Sequence, residues 1–99
     1  NPWQPGLIRM LAKIGADGAA AGVSVGVCGE SASDPAFAVV LAGLGITSVS
    51  ASPSQVNVVT NALASVTAED AKAVAKAALS GADAASAKSA ALAALAAAR

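Results

Sequence analysis

Apolar and polar positions alternate with two different periods along this chain. From Pro5 to Ala20, Leu7, Leu11, Ile14 and Gly18 recur at helical spacing with Ile8 beside them, which predicts an amphipathic helix. Pro5 suits the first turn, where its missing N–H removes no hydrogen bond, and Gly22 is a stop signal. Val23 to Val27 alternates valine with Ser24 and Gly26, the pattern of a strand covered on both faces. The loop Cys28 to Ser33 follows, and Asp34-Pro35 opens a helix with Ser33 or Asp34 as N-cap and Pro35 near N1. Phe37, Val40, Leu41 and Leu44 make its apolar face, and Gly43 and Gly45 end it.

Ile46 to Ala51 predicts a second short strand. Ser52-Pro53-Ser54-Gln55 has the form of a capping box, with Ser52 as cap, Pro53 at N1 and Gln55 at N3, and its helix runs to about Ala64. Thr67-Ala68-Glu69-Asp70 caps another helix that runs to about Leu79, where Ser80-Gly81 breaks it. An alanine-rich helix from about Ala84 to the end has Leu92 and Leu95 as its large anchors. Two strands joined by one helix form a βαβ unit, so they are expected to be parallel. Two strands are too few for a stable parallel sheet. The predicted class is therefore α/β, order α-β-α-β-α-α-α, as the end of a larger sheet or barrel.

Composition sharpens this picture. Hydrophobic residues make up 56% of the chain and aromatics 2%, with Trp3 and Phe37 as the only rings. Leucine, isoleucine, valine and alanine must then fill a thin core. The chain is expected to bury surface against something outside itself. A formal net charge of +0 gives no electrostatic case for nucleic acid or an anionic membrane. One cysteine excludes an internal disulfide, which leaves the compartment open and fits a reducing, cytoplasmic setting. The alanine-rich tail comes nearest to a membrane span, but Lys88 and its serines interrupt it, and no insertion is expected. The start shows no basic segment followed by an apolar run, and Asn1 is expected to lie inside a longer protein.

Histidine is absent, which excludes histidine-based triads, cysteine–histidine dyads and histidine–metal sites within this chain. The carboxylates do not cluster in sequence as metal ligands. Glu69 and Asp70 suit the positive end of a helix dipole, and Arg9, Lys13, Lys72, Lys76 and Lys88 sit at spacings of solvated helix faces. Cys28-Gly29-Glu30 is different, because it follows a strand at its C-terminal end, where parallel α/β folds carry their sites. A thiol there can be a nucleophile, a metal ligand or a proton donor. With a reference pKa of about 8.5 it is mostly protonated at neutral pH, which suits general-acid work. Cysteine is also often a small buried hydrophobe, and the residue pattern alone leaves both readings of Cys28 open.

The stretch VGVCGESASDPAFAVVLAGLGITSVSASPSQV closely resembles Enzyme I of the bacterial phosphotransferase system, the phosphoenolpyruvate-protein phosphotransferases. Val25 to Glu30, Ala32 to Pro35, Gly43 to Gly45 and Ser48 to Ser50 fit that family's pattern. Ser31 departs from the usual leucine or methionine, and Gln55-Val56-Asn57 is more polar than the common pair of residues there. The resemblance covers nearly the whole chain. It implies a C-terminal fragment of a (β/α)8 TIM barrel that binds phosphoenolpyruvate. Residues 1–99 would run from about helix 6 to the terminal helices. It also implies that phosphoenolpyruvate gives its phosphoryl group to a histidine of a missing N-terminal domain, which passes it to the carrier HPr for sugar uptake. Cys28 would protonate enolpyruvate on the way to pyruvate, with Gly29 and Glu30 in the substrate loop. Mg2+ would be bound by residues outside this chain, and the protein would be a homodimer. The fragment alone is expected to be inactive. Two alternatives share the motif or the location. One is a fragment of phosphoenolpyruvate synthase or pyruvate phosphate dikinase, and the other is a non-catalytic dimerisation segment.

Overall fold

A proline and a glycine set the limits of the first element, α1 (Pro5–Ala21). Gly22 closes it at φ 70°, a left-handed conformation that favours glycine, and its N–H donates to the carbonyls of Ala19 and Gly18. The computed structural model describes residues 3–22, 25–28, 34–46, 48–50 and 54–98. After α1 come β1 (Gly26–Cys28), α2 (Pro35–Gly43), β2 (Ser48–Ser50), α3 (Val56–Ala64), α4 (Ala68–Leu79) and α5 (Ala84–Ala98).

Apolar residues run all the way round α2, and a helix of that kind must be central. Ala36 to Leu41 are all buried, with Phe37, Val39, Val40 and Leu41 fully so. The predicted face of Phe37, Val40, Leu41 and Leu44 thus widens to every side of the helix over Ala36 to Leu41, while Leu44 is half-buried and Ala42 exposed. α4 and α3 pack on α2, and α5 packs on α4. Small residues let these axes approach. α4 buries Ala71, Val74, Ala75 and Ala78, and α5 buries Ala87, Ala91 and Leu95 at four-residue spacing. A Cβ at Gly43 would collide with the carbonyl oxygen of Ala71, so glycine permits the α2–α4 contact. Leu92, read as an anchor, is exposed, and Leu95 alone fills that role.

The buried seam of α1 is Ile8, Leu11 and Gly15, and Ile14 is exposed. The backbone of Gly15 lies against the Leu44 carbonyl, where any Cβ would clash. Of the predicted face, Leu7, Leu11 and Gly18 are half-buried and Ile14 is exposed, while Ile8 beside it is fully buried. α3 begins at Val56 behind Gln55, whose side chain makes no cap bond. The predicted box on Ser52 and Gln55 is thus corrected at Gln55, and Ser52 and Pro53 lie outside the described residues. Ser54 and Gln55 form a turn that sets Val59 and Ala62 inward. The cap on Thr67 forms as read, and as a reciprocal box: Thr67 Oγ1 accepts from Asp70 N at 3.1 Å, and Asp70 Oδ2 accepts from Thr67 N at 3.1 Å.

β1 and β2 pair in parallel, with Gly26 opposite Ser48, Val27 opposite Val49 and Cys28 opposite Ser50. Both are three residues long, shorter than the predicted strands, whose outer residues Val23, Ser24, Thr47 and Ala51 lie outside the described residues. The expected fold class, an α/β fragment of a (β/α)8 TIM barrel, is corrected here. Helices dominate the described structure, and the core is helix packed on helix around α2. Barrel cores are built from long strands, and a two-stranded ladder of three residues each offers no interior to fill. Most of the buried apolar residues lie on α2, α4 and α5, with Trp3, Ile8, Ile46, Val59 and Ala62 beside them.

Candidate functional site

Two described points flank residues 29–33, the end of β1 and the start of α2. At one end the ladder sets the backbone of Cys28, the last residue of β1, opposite Ser50. Cys28 therefore closes the strand instead of opening the loop. At the other end Asp34 caps α2 with its side chain: Oδ1 accepts from Ala36 N at 3.0 Å and from Phe37 N at 3.3 Å. Pro35 follows at N1 as the sequence indicates. Gly29 and Glu30 lie outside the described residues, as does the side chain of Cys28.

The second carboxylate oxygen of Asp34 reaches across the chain. Oδ2 accepts from the indole Nε1 of Trp3 at 3.3 Å. Trp3 is 2% exposed, and its ring meets Phe37 edge to face, with centroids 5.0 Å apart and planes at 79°. One carboxylate thus joins the start of α2 to the residues before α1. Sequence reasoning passed over this pair. The usable signal is physical: a buried indole N–H needs an acceptor, and Trp3 is the only tryptophan.

Arg9, Lys13, Lys72, Lys76 and Lys88 are exposed, as their spacing indicated. Lys13 pairs with Asp17 at 3.1 Å and Lys72 with Glu69 at 4.0 Å, all well exposed, and such pairs contribute little. Asp83 is held below its usual value of 3.8 by hydrogen bonds from the backbone and side chain of Ser86. Among the described residues no group of three or more His, Cys, Asp or Glu comes together to hold a metal ion. No helix among the described residues is long and apolar enough to cross a membrane.

A family model described as PEP-utilising enzyme, PEP-binding domain, matches residues 1–68, which take in α1, both strands and the Cys28–Pro35 segment. The chain belongs to this family of phosphoenolpyruvate-utilising enzymes. It is similar to a phosphoenolpyruvate-protein phosphotransferase of Streptomyces coelicolor, 41% identical over 97 residues, covering 82% of this chain and 17% of the relative. It is also similar to a phosphoenolpyruvate-protein phosphotransferase of Borreliella burgdorferi, 39% identical over 54 residues, covering 54% of this chain and 9% of the relative. The chain thus spans less than a fifth of the length of these relatives. The resemblance carried by the Cys-Gly-Glu motif is met by relatives that bear that name.

Proposed function

We propose that this chain is the segment of a phosphoenolpyruvate-protein phosphotransferase that supplies the proton donor to enolpyruvate, and that Cys28 is this donor. The observation that carries the reading is the family match over residues 1–68, which includes Cys28. Both relatives are named phosphoenolpyruvate-protein phosphotransferase, which favours this reading over the synthase and dikinase.

The chemistry divides between this chain and the rest of the enzyme. The chain holds no histidine, so the phosphoryl acceptor, and the delivery to HPr, belong to another part of the protein. Loss of the phosphoryl group leaves the enolate of pyruvate, whose methylene carbon must take a proton. The S–H bond of Cys28 breaks as the new C–H bond forms, giving pyruvate and a thiolate. Water returns the proton to the thiolate. Gly29 and Glu30 line the substrate loop in this reading. Mg2+ falls to residues outside this chain, and the assembled protein is a cytoplasmic homodimer.

Replacing Cys28 with alanine in the intact protein tests the assignment. Phosphoenolpyruvate–pyruvate exchange is expected to fall by about 10²- to 10⁴-fold, the usual worth of a positioned general acid, with helix content unchanged. Exchange at the parental rate would overturn it. The chain by itself is expected to show no exchange, and clear turnover would refute that part.

A further inference from the structure

We propose that α1 is a detachable helix, latched to the rest of the fold by Trp3, and that it opens while α2, α4 and α5 stay folded. The device stands whatever the role of Cys28. Burial along α1 is sparse. Of its seventeen residues only Ile8 and Gly15 are buried, and glycine brings no side chain to the core. By contrast, α2 is buried from Ala36 to Leu41, and α4 buries Ala71, Val74, Ala75 and Ala78 between α2 and α5. α1 rests on α4 and, at Gly15, on the Leu44 carbonyl, while Met10 and Ile14 are exposed on it. Local opening costs least where few apolar contacts are buried.

The anchor that α1 lacks within itself stands just before it. Trp3 is almost wholly buried against the edge of Phe37, and its Nε1 donates to Asp34 Oδ2 across thirty-one positions of sequence. The acceptor is a carboxylate, so the bond is of the stronger, charge-assisted kind. Only Gln4 lies between Trp3 and Pro5, and the proline ring fixes φ at the first helical position. Ile8 N donates to Gln4 O at 3.1 Å, which joins this stub to the first turn. Seating Trp3 therefore seats the helix. Releasing it leaves the cap of α2 in place, because Asp34 Oδ1 accepts from Ala36 N and Phe37 N independently of the indole.

Native-state hydrogen exchange on the full chain, read by NMR, tests the latch. Mid-helix amides of α1 are expected to exchange at least about tenfold faster than those of Val74 and Ala75 in α4, after correction for intrinsic rates. Trp3→Phe keeps a ring against Phe37 and removes the N–H. It is expected to speed α1 exchange about tenfold, the scale of one hydrogen bond to a charged group. Thr67→Ala weakens α4, which stays folded when α1 opens. It is expected to speed exchange at Val74 and Ala75 about fivefold, the worth of one helix cap, and to leave the α1 rates unchanged. Trp3 is the only tryptophan, so its emission reports the latch directly. That emission is expected to shift to the red at a lower urea concentration than the α4 amide signals are lost.

One common exchange rate for α1 and α4 in the parent would overturn the proposal. So would α1 rates unmoved by Trp3→Phe, or Thr67→Ala speeding both helices alike. Coincident urea transitions would count against it in the same way. If Trp3→Phe fails to fold, Asp34→Ser takes its place, since serine keeps a cap for α2 and is too short to reach the indole.

Discussion

Asp83 stands fully exposed at the entrance to α5, yet its carboxyl is held below 3.8. Ser86 N donates to Asp83 Oδ1 at 2.8 Å, and Ser86 Oγ accepts from the backbone N–H groups of Asp83 and Ala82 at 3.1 Å. A carboxylate with a lowered folded-state pKa contributes stability above its unfolded value. That contribution is lost as pH falls through the lowered one. The first turn of α5 is expected to keep its order at pH 5 and to fray as pH drops below 3.8. Ser86→Ala is expected to raise the Asp83 titration toward 3.8. Carboxyl chemical shifts followed by NMR would check both. At this scale the sequence is a good guide where partners are local. Asp34, Pro35, Thr67 and Asp70 are all legible, because caps involve residues two or three apart. Trp3–Asp34 is not legible, because its partners meet only after α2 has packed.

Each of the seven elements was foreseen in kind, and the errors lie in which face is buried and where the ends fall. α1 buries Gly15 and exposes Ile14, and α3 starts later than its serine and proline suggest. The burial of Gly15 comes from its contact with the Leu44 carbonyl, which periodicity within a segment cannot encode. Gly43 illustrates the same point. Gly43→Ala should raise helix propensity, but its methyl would strike the Ala71 carbonyl of α4. It is expected to destabilise the chain by about 1–3 kcal/mol, the range for overpacking. Gly6→Ala meets nothing within 4 Å, and is expected to be neutral or stabilising by up to about 1 kcal/mol. Removing the cap with Thr67→Ala is expected to cost about 1 kcal/mol. Urea titrations of the three variants would measure these differences.

The helices enclose a core of their own, and the Cα radius of gyration of 12.2 Å matches the value of about 13 Å for a domain of about 100 residues. Surface that asks for a partner remains. Met10 and Ile14 lie one turn apart on α1, and Val56, Val58 and Leu92 are also exposed. Each strand has one ladder partner among the described residues, and unpaired edges template association. The chain is therefore expected to gain mass with concentration in light scattering, and a constant monomer mass would count against the proposed dimer. The sequence by itself determined the order of the elements, the caps at Asp34 and Thr67 and the family, because those reside in spacing, neighbouring residues and a contiguous motif. Only the tertiary structure decided that α2 is buried all round, that helices outweigh the strands in the core, and that Trp3 holds Asp34. Those outcomes depend on which surfaces meet, and residues far apart in the chain acquire neighbours only by packing.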